Sequence, residues 1–144
     1  MNTRTTTLLK LMMLFVLATF IQSCKKSHAD TQSPSIVVLA PNAGQQFSSG
    51  SNLSVVATFH DYINLGNYRI VIRWNNVSQN ISPNPQVAAW NFILEEPLSG
   101  NNSSINKSIN VPLNIRLGEY EMILYCNDKA GNEVSKTNII KIAI

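Results

Sequence analysis

The chain has 144 residues, of which 44% are hydrophobic, and a formal net charge of +3. This length suits a single domain rather than several. Arg4 and Lys10 lie in a segment that we expect to be removed, which reduces the 11 basic residues to 9 against 8 acidic ones. A net charge of +1 with no basic stripe excludes nucleic acid as an expected partner.

The first 23 residues have the pattern of an export signal. A basic start precedes an apolar run at residues 11–18, which is far shorter than the roughly 20 residues of a transmembrane helix. Ile21 and Ser23 stand three and one positions before Cys24, as in a bacterial lipoprotein signal. We predict cleavage after residue 23 and lipidation of Cys24, whose acyl chains would contribute about 0.8 kcal/mol of membrane binding per buried methylene. The alternative is an ordinary secretory signal with an incidental cysteine.

Two regions follow the predicted cleavage point. Residues 24–34 are polar and predict a flexible tether, and residues 35–144 predict one folded domain. If Cys24 carries lipid, Cys126 is left without a disulfide partner. Cys126 lies in an apolar alternation, so we interpret it as a small core residue rather than a thiol nucleophile.

Apolar residues alternate with period two along the whole domain, and no long helical pattern appears. The alternation predicts an all-β fold, an immunoglobulin-like antiparallel β-sandwich of about seven strands. In the third strand, Arg69 and Arg73 are expected to point outward. The predicted strands cover residues 36–39, 53–59, 67–74, 87–94, 105–111, 120–126 and 139–144.

Two aromatic positions support this fold. Tyr120 opens the sixth predicted strand, where sandwiches often place a tyrosine whose hydroxyl bonds back to the preceding corner. Trp74 ends the third strand, near the position at which immunoglobulin-like folds bury a tryptophan. We therefore expect both side chains to serve packing.

A family resemblance rests on two short pieces, Leu-Gly-Glu-Tyr at residues 117–120 and Asp-Lys-Ala-Gly-Asn at residues 128–132. Together with Pro34, the turn at residues 44–50 and the lipoprotein signal, the chain resembles domain of unknown function 4625, a family of small lipoproteins of Bacteroidetes. The resemblance implies an immunoglobulin-like fold in the cell envelope, and it implies no activity. Where family members often carry histidine after the tyrosine, this chain has Glu121 and Met122, so no histidine-dependent metal role is expected.

The expected location is the cell envelope, with the protein held by lipid at the outer membrane. In this phylum, an acidic run behind the lipidated cysteine resembles a signal for export to the outer face. Residues 25–27 are Lys-Lys-Ser, which favours the periplasmic leaflet, although the surface leaflet stays open.

No catalytic set is expected, and the protein is predicted not to be an enzyme. His28 lies in the tether, and a Ser-His-Asp arrangement could use only His60 with Asp61 or Asp128. Glu95 and Glu96 are adjacent in sequence and would point to opposite faces of a strand, so they cannot flank one glycosidic bond.

Metal binding is the first alternative to a purely structural role. Asp61, Asp128 and Asn132 lie at strand ends or turns and offer the oxygen ligands that Ca²⁺ prefers. Two acids seldom suffice for Ca²⁺ and turn capping already explains Asp128, so a structural role is the preferred interpretation.

Asparagine-rich loops are the second alternative. Asn76 and Asn80, with Trp74 or Trp90 nearby, could bind sugar hydroxyls and stack on a ring. The competing interpretation is that the asparagines are ordinary loop residues and that both tryptophans belong to the core.

These observations predict a membrane-anchored, noncatalytic binding module for an envelope protein or a glycan. A protein partner could add a strand to an exposed sheet edge. The alternative function is a calcium-stabilised structural subunit of a surface assembly, comparable to an adhesin.

Overall fold

The computed structural model describes residues 29–76 and 87–144, and these form an immunoglobulin-like β-sandwich. Cys24 and Asn80 lie outside the described residues. Within the described ranges, nothing helical has the length and apolar character needed to traverse a bilayer. The strands are β1 (Ser35–Ala40), β2 (Gln46–Ser48), β3 (Asn52–His60), β4 (Leu65–Trp74), β5 (Phe92–Pro97), β6 (Asn102–Asn110), β7 (Gly118–Asp128) and β8 (Glu133–Ala143).

The strands form two sheets that pack face to face. One sheet has the order β1-β3-β6, and the other has the order β2-β8-β7-β4-β5. Neighbouring strands are antiparallel except β2, which runs parallel to β8. Between β1 and β2 the chain crosses from the first sheet to the second, and the Ala40–Pro41 peptide bond in this connection is cis.

The core lies between the sheets and follows the alternation of the sequence. In β3 the buried positions are 53, 55, 57 and 59, and in β4 they include 68, 70 and 72, as predicted. Arg73 points to solvent, and Arg69 lies over the ring of Tyr125 on the outer face. Period two therefore sorts each strand into a core face and an outer face.

Several element boundaries differ from the prediction. The short strand β2 was not predicted, because half-buried Phe47 stands alone between polar residues and shows no alternation. The predicted strand at residues 87–94 is wrong at its start, since β5 begins at Phe92. There the Trp90 N–H bonds to the hydroxyl of Tyr120 (3.3 Å) instead of a neighbouring strand. The strands β6 and β8 begin earlier than predicted, at Asn102 and Glu133, because polar residues conceal their first positions.

The predicted role of Tyr120, whose hydroxyl bonds back to the preceding corner of the chain (a tyrosine corner), is confirmed. Tyr120 is fully buried, and its hydroxyl donates a 2.6 Å hydrogen bond to the carbonyl oxygen of Arg116. The same hydroxyl accepts the N–H of Trp90, so it joins the start of β7 to two loops. Burial raises the pKa of Tyr120.

A polar bridge closes the side of the sandwich between β5 and β6. Lys107 of β6 points inward, and its Nζ lies 2.6 Å from Oε2 of Glu96 on β5. The hydroxyl of Tyr68 on β4 donates to the same carboxylate oxygen at 2.8 Å. These bonds satisfy a charged pair at the rim of the core and link the two sheets.

Tyr120→Phe should lower the free energy of unfolding by about 1–3 kcal/mol, because it leaves the Arg116 carbonyl and the Trp90 N–H without their buried partner. Urea denaturation measures the difference. The control is Tyr125→Phe on the same strand, which keeps the ring that contacts Arg69 (4.5 Å) and should change stability by less than about 0.5 kcal/mol. An equally small change for both variants would contradict the structural role of the corner.

Tyr68→Phe should reduce the loss of stability at alkaline pH. Burial and the hydrogen bond to Glu96 raise the pKa of Tyr68 to about 12. Because the pKa is raised in the folded state, the contribution of Tyr68 to stability is complete below the unfolded pKa of about 10. This contribution is lost as pH rises through the folded value. Urea titrations across this range should show a shallower decline for the variant, and parallel declines would contradict the assignment.

Candidate functional site

Two aspartates continue the inward-facing positions of the central strands. Phe59 is the last core residue of β3, and Asp61 follows two positions later; Cys126 is the last core residue of β7, and Asp128 follows it. Because side chains on a strand alternate between faces, both carboxylates lie at the end of the core. Asp61 is 2% exposed and Asp128 is 4% exposed.

The turn between β3 and β4 packs closely on the end of β7. The backbone N–H of Lys129 donates to the carbonyl of Asn64 at 3.1 Å. A Cβ on Gly66 would lie 2.7 Å from the carbonyl oxygen of Asp128, so only glycine permits this approach without a shift of the backbone. The glycine thus allows the turn that carries Asp61 to lie against Asp128.

A third aspartate joins them from the segment before β1. One carboxylate oxygen from each of Asp30, Asp61 and Asp128 lies within 4.8 Å of the others, and we call these three residues the acidic cluster. The Asn132 side-chain nitrogen Nδ2 holds the parts together, since it lies 2.6 Å from Oδ2 of Asp128 and 3.2 Å from the carbonyl oxygen of Asp30. Of the residues considered from sequence, the structure therefore brings Asp61, Asp128 and Asn132 together. Sequence reasoning missed Asp30.

The two buried aspartates differ in how many of their carboxylate oxygens accept hydrogen bonds. In Asp61, Oδ2 accepts the backbone N–H groups of Ile63 (2.9 Å) and Asn64 (2.6 Å), whereas the buried Oδ1 has no hydrogen-bond partner. In Asp128, both oxygens accept from Asn132. Burial alone would raise the pKa of Asp128, but the hydrogen bonds from Asn132 and the neighbouring backbone outweigh it and hold that pKa below its usual range.

Cys126 lies beneath the acidic cluster and is fully buried, as predicted for a core residue. Burial and the negative charges of Asp61 and Asp128 raise its pKa to about 11. At neutral pH the side chain therefore stays a thiol, which is a weak nucleophile and a weak metal ligand.

The aromatic residues considered for glycan binding pack within the domain. Trp90 is 6% exposed and contacts the rings of Tyr120 and Phe92. Half-buried Trp74 meets Tyr120 edge to face (5.2 Å) and has the guanidinium of Arg116 5.0 Å from its ring centroid. Asn76 is exposed beyond the end of β4. These contacts cover both indole rings from solvent in whole or in part.

A different polar surface lies on the outer face of the three-stranded sheet. It is a shallow depression, in which His60 Nδ1 and Asn102 Oδ1 lie 2.8 Å apart. Beside it, Tyr62 is 74% exposed, and the centroid of its ring lies 6.5 Å from that of the imidazole ring. Asn101 donates to the carbonyl of Tyr62 at 2.9 Å and so holds this loop. The lining residues are Ser35, Val37, Thr58, Phe59, His60, Asn102, Ser103 and Ser104.

The depression could have been found from sequence in part. Thr58 and His60 have the parity opposite to the core residues of β3, which places them on the outer face. No local pattern indicates that β6 lies beside β3, because 42 residues separate His60 from Asn102.

The groups considered for catalysis are not assembled in the described part of the chain. His60 bonds to Asn102 and not to Asp61 or Asp128. Glu95 and Glu96 point to opposite faces of β5, where they bond to Asn67 and Lys107. Their contacts are those of ordinary sheet residues.

Strand order and the tyrosine corner define the class of protein, which is a β-sandwich of the immunoglobulin-like type. The sequence profile of domain of unknown function DUF4625 matches residues 22–143, and the chain belongs to this family. Among solved structures it is similar to fibronectin(III)-like modules of CbhA from Clostridium thermocellum, at 11% identity and a TM-score of 0.46, over 75% of this chain and 94% of that one. No curated protein matches the chain.

Proposed function

We propose that this protein is a noncatalytic binding module, held at the bacterial cell envelope by lipid on Cys24, and that its ligand is a glycan. The observation that carries the ligand class is the exposed Tyr62 ring beside the depression on the outer face of β1, β3 and β6. The anchor is supported by the signal pattern of the first 24 residues. We further propose an outer-membrane location in a species of Bacteroidetes, in either leaflet.

The chemistry of the depression suits a sugar. Thr58 and Ser104 offer hydroxyl groups, and His60 and Asn102 offer a ring nitrogen and an amide. Such groups exchange hydrogen bonds with sugar hydroxyls, while the apolar side chain of Val37 can contact a C–H face. Tyr62 supplies a flat apolar ring at the rim together with a polar hydroxyl.

The side chains that line the depression also indicate the charge of the proposed glycan. The residues that line the depression include no lysine, arginine, aspartate or glutamate. A highly charged polymer would find no counter-charge there, so we infer a neutral glycan.

At the β6 edge of the three-stranded sheet, the structure disfavours a protein partner that adds a strand. Lys107 points inward from the free edge of β6, and an inward-pointing charge on an edge strand opposes addition of a further strand. A second candidate function, a calcium-stabilised structural subunit of a surface assembly, is favoured by the acidic cluster.

Binding to immobilised neutral glycans, followed by calorimetric titration of the best one, tests the ligand class. Tyr62→Ala and Asn102→Ala should each weaken binding about tenfold or more, since 1.4 kcal/mol corresponds to a factor of ten. Ile93→Ala is the control, because Ile93 is a similarly exposed side chain on β5 of the other sheet. Absence of binding to any glycan, or equal weakening by all three substitutions, would exclude this site.

Cys24→Ser tests the anchor separately. The wild-type protein should sediment with the envelope fraction and carry the mass of its acyl chains, because two or three chains bind a membrane almost irreversibly. The variant should lack that mass and leave the membrane fraction. A wild-type protein with an unmodified Cys24 thiol would show that the anchor was assigned wrongly, whatever the result of the glycan titrations.

A further inference from the structure

We propose that the acidic cluster is a Ca²⁺ site, and that the bound ion fastens the segment around Asp30 to the end of the sandwich. The inference is independent of the glycan-binding function, because it uses none of the residues that line the depression, and it gives the second candidate function its ion site. It concerns how the folded domain is joined to the chain that precedes it.

The first support is negative charge that no basic side chain of the described residues balances. Three carboxylates meet within 4.8 Å, and two of them, Asp61 and Asp128, are almost completely buried. Throughout residues 29–76 and 87–144, no lysine or arginine forms an ion pair with any of the three. Like charges held this closely away from water repel strongly unless a cation lies between them.

The second support is a buried oxygen that lacks a partner. Asp61 is 2% exposed, and its Oδ1 accepts no hydrogen bond although Oδ2 accepts two. Buried polar atoms in folded proteins nearly always have a partner, and a charged one left alone is costly. Because the two N–H donors of the turn occupy Oδ2, Oδ1 is the Asp61 oxygen left available to a cation.

The donor set of the cluster consists of oxygen atoms. The backbone N–H of Asn64 bonds to Asp61 Oδ2, and the side-chain Oδ1 of Asn64, in the same turn, is also buried without a hydrogen-bond partner. The clustered ligand atoms themselves are three carboxylate oxygens and include no imidazole nitrogen or thiolate sulfur. An all-oxygen set selects a hard cation rather than zinc or copper.

Calcium fits this set better than magnesium. Ca²⁺ accepts six to eight oxygens in irregular arrangements, with carboxylates, amides, carbonyls and water mixed. Mg²⁺ demands near-octahedral geometry and releases its water reluctantly. Ligands that come from a turn, a strand end and the segment before β1 are more easily matched to the irregular coordination of Ca²⁺.

The position of Asp30 gives the ion a mechanical role. Asp30 lies five residues before β1, and within the described residues Asn132 Nδ2 links it to the domain through the carbonyls of Asp30 and Gln32, at 3.2 and 3.4 Å. An ion bound by Asp30, Asp61 and Asp128 would tie this segment to β3 and β7 at once. Calcium would then limit how freely the domain moves relative to the chain that leads back toward Cys24.

Calorimetric titration and thermal melting of the full-length protein in detergent test the site, with CaCl₂ as the titrant. We expect one ion per chain with a Kd on the order of 0.1–1 mM, as in extracellular modules, and a rise in Tm of about 5 °C at roughly 10 mM Ca²⁺. MgCl₂ should raise Tm much less. No binding and no rise in Tm with Ca²⁺ would overturn the proposal, and an equal rise with Mg²⁺ would overturn the choice of calcium.

Asp61→Asn and Asp30→Asn should each weaken Ca²⁺ binding at least tenfold, because each removes one negative charge from the site. In Asp61→Asn, the amide oxygen of the new side chain can still accept the two N–H groups of the turn. The matched control is Glu119→Gln at the other end of β7, which should bind as the wild type does. Equal calcium responses in all variants would show that the ion binds elsewhere.

Hydrogen exchange tests the mechanical role of the ion. The amides at residues 29–33 should exchange more slowly when Ca²⁺ is added to the wild type, and the same addition should change nothing in Asp30→Asn. Unchanged exchange in the wild type at saturating Ca²⁺ would show that the ion does not fasten this segment. If Asp61→Asn does not fold, Asp30→Asn is the milder variant, because Asp30 is only half-buried. The calcium titration of Asp30→Asn and the exchange data then test the proposal together.

Discussion

Period-two alternation in β3 and β7 is the constraint on which the rest of the structure depends. Each strand places every second side chain between the sheets, and that row ends in an aspartate, Asp61 or Asp128. The apolar part of the row forms the core, whose burial stabilises the sandwich. Each of the two rows therefore places one carboxylate at the end of the core, where hydrogen bonds and charge replace apolar contact.

Polar groups close the sandwich wherever the apolar rows end. At the start of β7, the hydroxyl of Tyr120 bonds to the Arg116 carbonyl. Between β5 and β6, the pair of Lys107 and Glu96 joins the free edges of the two sheets. These groups have their partners in the structure, whereas Oδ1 of Asp61 does not. This unpartnered carboxylate oxygen is one of the observations from which we propose a cation at the acidic cluster.

The two surfaces of functional interest lie on opposite sides of one short stretch of chain. His60 points to the outer face of the three-stranded sheet, and the next residue, Asp61, points into the end of the core. Tyr62 then turns back to solvent. The depression that we propose for a glycan and the acidic cluster that we propose for Ca²⁺ thus lie side by side and differ in charge.

Much of the fold could be predicted, because alternation is a local property. The core positions of β3 and β4, the buried Cys126 and the tyrosine corner all follow from residue spacing. Prediction failed where a segment depends on distant contacts. The strand β2 exists because it pairs with β8, and Trp90 leaves the expected strand because Tyr120 takes its N–H.

The sequence by itself determined the class of fold, the core faces and the candidate ligands Asp61, Asp128 and Asn132. Only the tertiary structure decided that Asp30 joins them, because it lies about 100 residues from Asn132 in a segment without any periodic pattern. The tertiary structure also shows that Tyr62 is exposed, whereas the two tryptophans considered for glycan binding are buried or half-buried. Which side chains are exposed and which lie close together depends on how the two sheets pack, and this packing cannot be inferred from neighbouring residues in the chain.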